Sequence, residues 1–217
     1  KKDLVRHLPK KLKELSEQLL ADNSSRMPQR RRPEREVKPL TSPDGKWEAY
    51  IKGYNVYISP VNADEKAPKE EIALTMDGSE KLYYNQWSLS WSPDSRKLAT
   101  VKVNDVEERR IPLIESAPST QKQPILQWRD YAKPGDVLST SLPVLFDVES
   151  RKQIALDTDL YANQFSLYLT GWRADSRAFT FEFNQRGHQR YVVGEVNAET
   201  GAITHLADEQ VETFFYY

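Results

Sequence analysis

From residue 40 onward, apolar and polar residues alternate with a period of two along most of the chain. Trp47-Glu48-Ala49-Tyr50-Ile51 and Asn55-Val56-Tyr57-Ile58 flank Gly53 and predict the arms of a hairpin. Glu71-Ile72-Ala73-Leu74-Thr75 predicts a further strand, followed by a turn at Asp77-Gly78. A second group starts with a strand over Trp87-Ser88-Leu89-Ser90-Trp91 and continues through Leu98–Val103. Phe179–Phe183, Tyr191–Val196 and Ile203–Leu206 form a third, with turns at Gln185-Arg186-Gly187-His188 and Glu199-Thr200-Gly201. Half-buried strands require this alternation. Residues 3–21 differ: Leu4, Leu8, Leu12, Leu15 and Leu19 recur at helical steps. Pro9 interrupts the first turn, so the predicted helix covers 10–21. Residues 24–39 carry Pro28, Pro33, Pro39 and Arg30-Arg31-Arg32 with almost nothing apolar, and read as a linker.

One short phrase opens each strand group: Ser42-Pro43-Asp44-Gly45, Ser92-Pro93-Asp94-Ser95 after Trp91, and Arg173-Ala174-Asp175-Ser176 after Trp172. Pro suits the second position of a type I turn, and Gly or Ser after Asp tolerates the left-handed geometry that completes it. A turn between a Trp-tipped strand and a second apolar strand is the recurring unit of propeller blades. The first two phrases lie about fifty positions apart, one blade length; the second and third lie about eighty apart. About thirty residues are therefore inserted, including Pro112, Pro118, Pro124, Lys133-Pro134-Gly135-Asp136 and Pro143. Long insertions in compact repeats tend to carry function. The expected fold is all-β: a partial β-propeller of about three blades of antiparallel strands over 40–217, with a short N-terminal helix and linker over 1–39. Propellers close with roughly four to eight blades, so three leave edges open and point to a longer polypeptide.

Composition narrows the function classes. Lys+Arg number 31 against Asp+Glu 32, a net charge of −1, which argues against a nucleic-acid partner and makes the arginine run a solvated linker. Cys is absent, which excludes disulfides, thiolate nucleophiles and Cys-based metal centres. No metal or cofactor is expected, since no His-Glu-x-x-His spacing or carboxylate cluster occurs. No apolar run approaches the ~20 residues that span a bilayer. The opening Lys1-Lys2-Asp3, without initiator Met or signal-peptide core, reads as a processed or truncated product.

The combination of Trp91-Ser92-Pro93-Asp94, Val103-Asn104-Asp105, Ile111-Pro112-Leu113-Ile114-Glu115, Tyr131-Ala132-Lys133-Pro134-Gly135-Asp136 and Pro143–Val148 resembles the N-terminal propeller of dipeptidyl peptidase IV and its prolyl-oligopeptidase-type relatives. Asn184-Gln185-Arg186-Gly187-His188 and the tail Asp208–Phe214 are similar to the bacterial branch. The resemblance covers roughly residues 40–217. It implies a two-domain serine peptidase whose propeller covers a C-terminal α/β-hydrolase domain, filters peptide substrates by size and helps to hold the peptide's N-terminal amine. It further implies a periplasmic or secreted protein. The catalytic residues belong to the second domain: no Gly-x-Ser-x-Gly occurs here, so no catalytic residue is expected among His7, His188, His205 or the serines.

In dipeptidyl peptidase IV a Glu-Glu pair before the second turn phrase holds the substrate ammonium by charge-assisted hydrogen bonds. The matching stretch, Asp77–Trp87, is shorter and offers only Glu80 beside Lys81. The candidate substrate-binding residues are therefore Glu80, the adjacent Tyr83 and Tyr84, and the acidic pair Glu107-Glu108 in the insertion. Each has a plainer alternative: strand packing for the tyrosines, a mixed-charge hairpin tip with Arg109-Arg110 for the glutamates. Glu70-Glu71 reads as a solvated strand entrance. Either Glu80 alone holds an amine, or Glu107 and Glu108 take the role, or a free N-terminus is not required; the shortened segment favours the last. The leading function is the non-catalytic, substrate-gating propeller portion of a serine exopeptidase, partnered by peptide and by its own hydrolase domain. The alternative is a stand-alone binding or scaffold propeller. Open edges also make a homodimer compatible with this fold.

Overall fold

Three antiparallel meanders follow one another in chain order, each with a copy of the turn phrase joining its innermost strand to the next. A computed structural model describes residues 38–61, 70–107 and 109–215. The expected helix over 10–21 and nearly all of the linker lie outside the described residues. The first sheet has the order β1 (Leu40–Thr41), β2 (Trp47–Lys52), β3 (Asn55–Pro60), β4 (Ile72–Ala73). In the second, β5 (Leu82–Tyr84) and β6 (Ser90–Trp91) both pair with β7 (Lys97–Asn104). A separate ribbon, β8 (Arg110–Glu115) with β9 (Ile125–Asp130), precedes β10 (Thr140–Asp147) and β11 (Lys152–Ile154), which complete that sheet. The third runs β12 (Gln164–Trp172), β13 (Ala178–Gln185), β14 (Arg190–Asn197), β15 (Ile203–Gln210). Among the described residues no sheet closes on itself, and the chain is a partial propeller of three blades.

The expected strand over Trp87–Trp91 is broken. Asn85 Oδ1 accepts the Trp87 N–H at 2.8 Å and starts a 3-10 turn over Gln86–Ser88, which splits the inner strand into β5 and β6. Asx side chains compete with the ladder in this way. The Gly53-Tyr54 hairpin forms as expected, with both residues at positive φ (53° and 71°), as a two-residue turn between right-twisted strands demands. Gly78 serves close approach rather than a turn. Its N–H donates to Asn55 Oδ1 at 2.8 Å, and a β-carbon there would stand 2.4 Å from the Tyr54 carbonyl oxygen.

Alternation assigns each face of the second blade to a different neighbour. Leu98, Val144 and Phe146 pack with Ala49, Val56 and Ile58 of the first blade. Ala99, Val101, Val103 and Leu145 pack with Leu167, Phe179, Phe181, Phe183 and Val192 of the third. Two dry seams of this size supply the principal stabilisation of the fold.

The turn phrases join the blades as well as their strands. Gly45, Ser95 and Ser176 take φ of 72°, 63° and 63°, completing three equivalent turns. Ser42 and Ser92 donate to Asp44 and Asp94 Oδ1 at 2.6 Å, and Asp44, Asp94 and Asp175 each accept the N–H two residues on. Between blades, the Asp44 N–H donates to Ser95 Oγ and the Asp94 N–H to Ser176 Oγ, both at 3.0 Å. Trp91 Nε1 donates to Leu40 O at 2.9 Å and Trp172 Nε1 to Ser90 O at 3.2 Å. Position by position, each phrase reaches back to the one before it.

Candidate functional site

The insertion stands where the first blade has its tight hairpin. Asn104 at the end of β7 pairs with Thr140 at the start of β10, and residues 105–139 span the gap. The β8–β9 ribbon projects from this point, with Ile114, Leu126 and Trp128 exposed. Its root is fastened by Arg110 Nε to Asp130 Oδ1 at 2.8 Å and by the Tyr131 N–H to Arg109 O at 2.7 Å.

The β5–β7 pairing brings two separate candidate segments to this end of the blade. Leu82 lies opposite Asn104, and just beyond, the Asp105 N–H donates to Lys81 O at 2.7 Å. Glu80-Lys81 forms the tip of a tight reversal closed by mutual backbone bonds between Ser79 and Leu82, and Lys81 is where that tip meets the insertion, at Asp105. Ser139 ties in the far side of the insertion: its Oγ donates to Asp105 Oδ1 at 2.7 Å and accepts the Val106 N–H at 3.1 Å. Glu80 and Glu107 are exposed, and among the described residues neither is paired with a cation. Two such carboxylates can accept an ammonium without first releasing an internal partner. Glu108 lies outside the described residues.

Glu107 also lines a cleft of about 270 Å³ with Arg109, Asp130, Tyr131, Ser139 and Phe165. Phe165 comes from β12 of the third blade and is 52 % exposed. The insertion's prolines mark this loop in the sequence, but no local signal marks Phe165, which alternation alone would assign to ordinary strand packing. A second cavity, about 450 Å³, lies between the inner strands of the second and third blades beside Trp87, Ser88, Tyr168 and Trp172.

The two tyrosines are placed differently from the glutamates. Tyr83 is half-buried against the seam with the third blade, where burial, then the nearby Asp105 charge, raises its phenol pKa. Tyr84 is a core residue, 2 % exposed, with Oη donating to Asp77 Oδ1 at 2.9 Å. Burial, then that hydrogen bond, pushes its phenol up. Lys102 Nζ sits 5.3 Å from the ring centroid and 2.5 Å from Asp77 Oδ2. Its hydrogen bond lowers the Asp77 carboxyl against the opposing effect of burial. Tyr84 thus holds the Asp77 segment against the blade, and its hydroxyl is already engaged.

The two described histidines, His188 and His205, are held by their own neighbours. His205 lies between Tyr161 Oη, 2.9 Å from Nε2, and Asp208 Oδ2, 2.9 Å from Nδ1. His188 packs on the Phe165 ring at 4.4 Å between centroids. Among the described residues no three His, Asp or Glu side chains gather in a metal-ligating group.

Two solved structures share this architecture. Porphyromonas gingivalis dipeptidyl peptidase 4 matches with a TM-score of 0.58 and 19 % identity, over 82 % of this chain and 26 % of that one. A protein assigned as a dipeptidyl aminopeptidase IV from Bacteroides ovatus matches with 0.55 and 18 %, over 81 % and 24 %. This chain therefore spans about a quarter of the length of either structure. At these identities the likeness concerns the fold. No match was found among curated proteins. The family described as the dipeptidyl peptidase IV (DPP IV) N-terminal region matches residues 11–216, nearly the whole sequence, and the chain belongs to that family.

Proposed function

We propose that this chain is the non-catalytic propeller portion of a secreted or periplasmic serine exopeptidase, and that it gates and orients peptides for a hydrolase domain outside this sequence. Family membership and the absence of a Gly-x-Ser-x-Gly elbow support the division of labour. The observation that carries the substrate role is the Asp105 N–H to Lys81 O bond at 2.7 Å. It ties the Glu80-Lys81 turn to the base of the insertion that carries Glu107, which supports a reading in which carboxylates from two parts of the chain serve one substrate amine. In this reading the pair takes over the amine-holding task, in place of adjacent glutamates on one helix. An ammonium held between two carboxylates is attracted more strongly than by Glu80 alone.

The test compares kcat/KM for free and N-acetylated peptides on the full-length protein, with Glu80→Gln, Glu107→Gln and the double variant alongside. The expected result is a preference for the free amine that falls about tenfold or more in the double variant, corresponding to roughly 1.4 kcal/mol. Equal rates for both peptides in the wild type, or an unchanged preference in the double variant, would overturn the amine-holding role. The competing reading, a stand-alone binding propeller, would be favoured by a reading frame that encodes no hydrolase beyond Tyr217.

A further inference from the structure

The cavity of about 450 Å³ between the second and third blades differs in chemistry from the cleft at the insertion. That cleft has Glu107, Arg109 and Asp130 in its walls. No described residue lining the larger cavity carries a charge, in a chain of which 29 % of residues do. Its buried lining includes Ala99, Val101, Leu167 and Phe179, all part of the apolar seam. The more accessible lining includes Asn85, Ser88, Ser90 and Ser141, with Trp87 beside them at 72 % exposure. An apolar floor therefore lies below a polar but uncharged rim.

Small residues on the inner strand of the second blade create this space. Ser90 lies opposite Ala99 as Leu40 of the first blade lies opposite Ala49. Directly opposed side chains share a face, and Ala99 faces the third blade, so Ser90 does too. A serine thus stands where the equivalent strand of the first blade has a leucine. Ser88 widens the gap, because the turn capped by Asn85 replaces a continuous strand here. The walls are fixed by bonds of their own. Ser88 Oγ accepts the Val101 N–H at 3.0 Å, Gln86 Oε1 accepts the Ile51 N–H at 2.7 Å, and Trp172 Nε1 donates to Ser90 O at 3.2 Å. Pre-formed concavities with an apolar lining and a few placed polar groups are where small ligands bind.

We infer that this cavity is a binding slot for one bulky, uncharged residue of a peptide, its side chain on the floor of Val101, Leu167 and Phe179 and its main chain at the rim of Ser90 and Ser141. A peptide residue of this kind has the same two tiers, an apolar side chain below a hydrogen-bonding main chain. A sugar carries hydroxyls around its whole ring, and those facing the floor would be buried without a partner, which costs free energy. A lysine or glutamate side chain would enter without a counter-charge, at a greater cost. The slot thus selects for the absence of charge on a side chain, whereas Glu80 and Glu107 select for an amine. The choice of peptide as ligand rests on the proposed function, but the slot depends neither on the amine-holding pair nor on hydrolysis.

The experiment is an NMR titration of the full-length protein with N-acetyl-phenylalanine amide, N-acetyl-lysine amide and methyl glucoside. Both amino-acid probes are blocked, so neither offers an α-amine to Glu80 or Glu107. The expected result is that the phenylalanine probe binds at least tenfold more tightly than the lysine probe. Ser90→Leu, which puts the first blade's residue into the gap, then weakens the phenylalanine probe at least fivefold. Should thermal unfolding show that Ser90→Leu does not fold, Trp87→Ala at its exposed position replaces it, with a loss of at least threefold expected. Equal affinity for the two amino-acid probes, or an affinity unchanged by the folded variant, would overturn the slot. Tighter binding of the glucoside than of the phenylalanine probe would assign the cavity to a sugar and overturn the peptide ligand. Probe binding without turnover of any peptide sinks the hydrolase reading and leaves the slot standing. Turnover that prefers a free amine, without discrimination between the probes, does the reverse.

Discussion

Lys97 Nζ lies 2.8 Å from Asp147 Oδ2 within the second blade and 3.2 Å from Glu199 of the third, with its side chain only 5 % exposed. A buried ammonium is tolerated because both carboxylates face it, and the pair bolts a dry seam at its rim. Replacing Lys97 by Met leaves Asp147 without its cation. The expected cost is about 3 kcal/mol, the lower end for a broken buried pair, because Asp147 keeps some access to water. Urea unfolding of Lys97→Met, Asp147→Asn and the double variant measures it, and the double should recover part of the single loss.

Acid should weaken the fold through two carboxylates. Burial pushes Asp147 up, but hydrogen bonds from Lys97 and Ser150, with the Lys97 charge, outweigh it and hold the pKa at about 2. For Asp208, hydrogen bonding from Arg190 outweighs burial, His205 adds to it, and the value is again about 2. Both sit below the ordinary value of 3.8, so their stabilisation is fully present above about pH 5 and is lost as pH falls toward 2. Lys97 is shifted the other way, because the two carboxylates outweigh burial; its contribution is complete below pH 10.5 and is lost as pH rises through the higher folded value. Unfolding free energy measured from pH 2 to 7 should be flat near neutrality and fall below about pH 4, less steeply in Asp147→Asn.

The phrase serines should matter across blades more than within them. Ser95→Gly keeps the positive φ of 63° but removes the hydroxyl that accepts the Asp44 N–H. Its expected cost is about 1 kcal/mol, with faster exchange at the Asp44 amide, fifty-one positions away. Unchanged exchange at Asp44 would mean that water replaces the hydroxyl without loss.

Two glycine substitutions separate packing from backbone strain. A β-carbon on Gly194 would stand 2.3 Å from the Phe181 ring inside the core, so Gly194→Ala should cost roughly 3 kcal/mol by overpacking. Gly45 has open space around it and φ of 72°, so Gly45→Ala should cost only about 1 kcal/mol from the left-handed backbone. Thermal unfolding of the two variants should rank them in that order.

The amino-acid sequence by itself determined the strand groups, the three turn phrases and the place of the insertion, because period-two alternation and Pro-Asp-Gly chemistry act within a few residues. It also named Glu80 and Glu107 from their charge and from the resemblance. It misplaced the start of the second blade, where Asn85 caps a turn that alternation over Trp87–Trp91 does not reveal. Tertiary structure alone decided which neighbour covers each face. A period of two tells which side chains share a face, but not which sheet lies over it. Only pairing across distant segments could set Lys81 against Asp105, bring Phe165 to the Glu107 cleft or turn the phrase serines and tryptophans into blade-to-blade bonds. Those contacts join positions as far as eighty-two residues apart, and local propensity carries no information at that range.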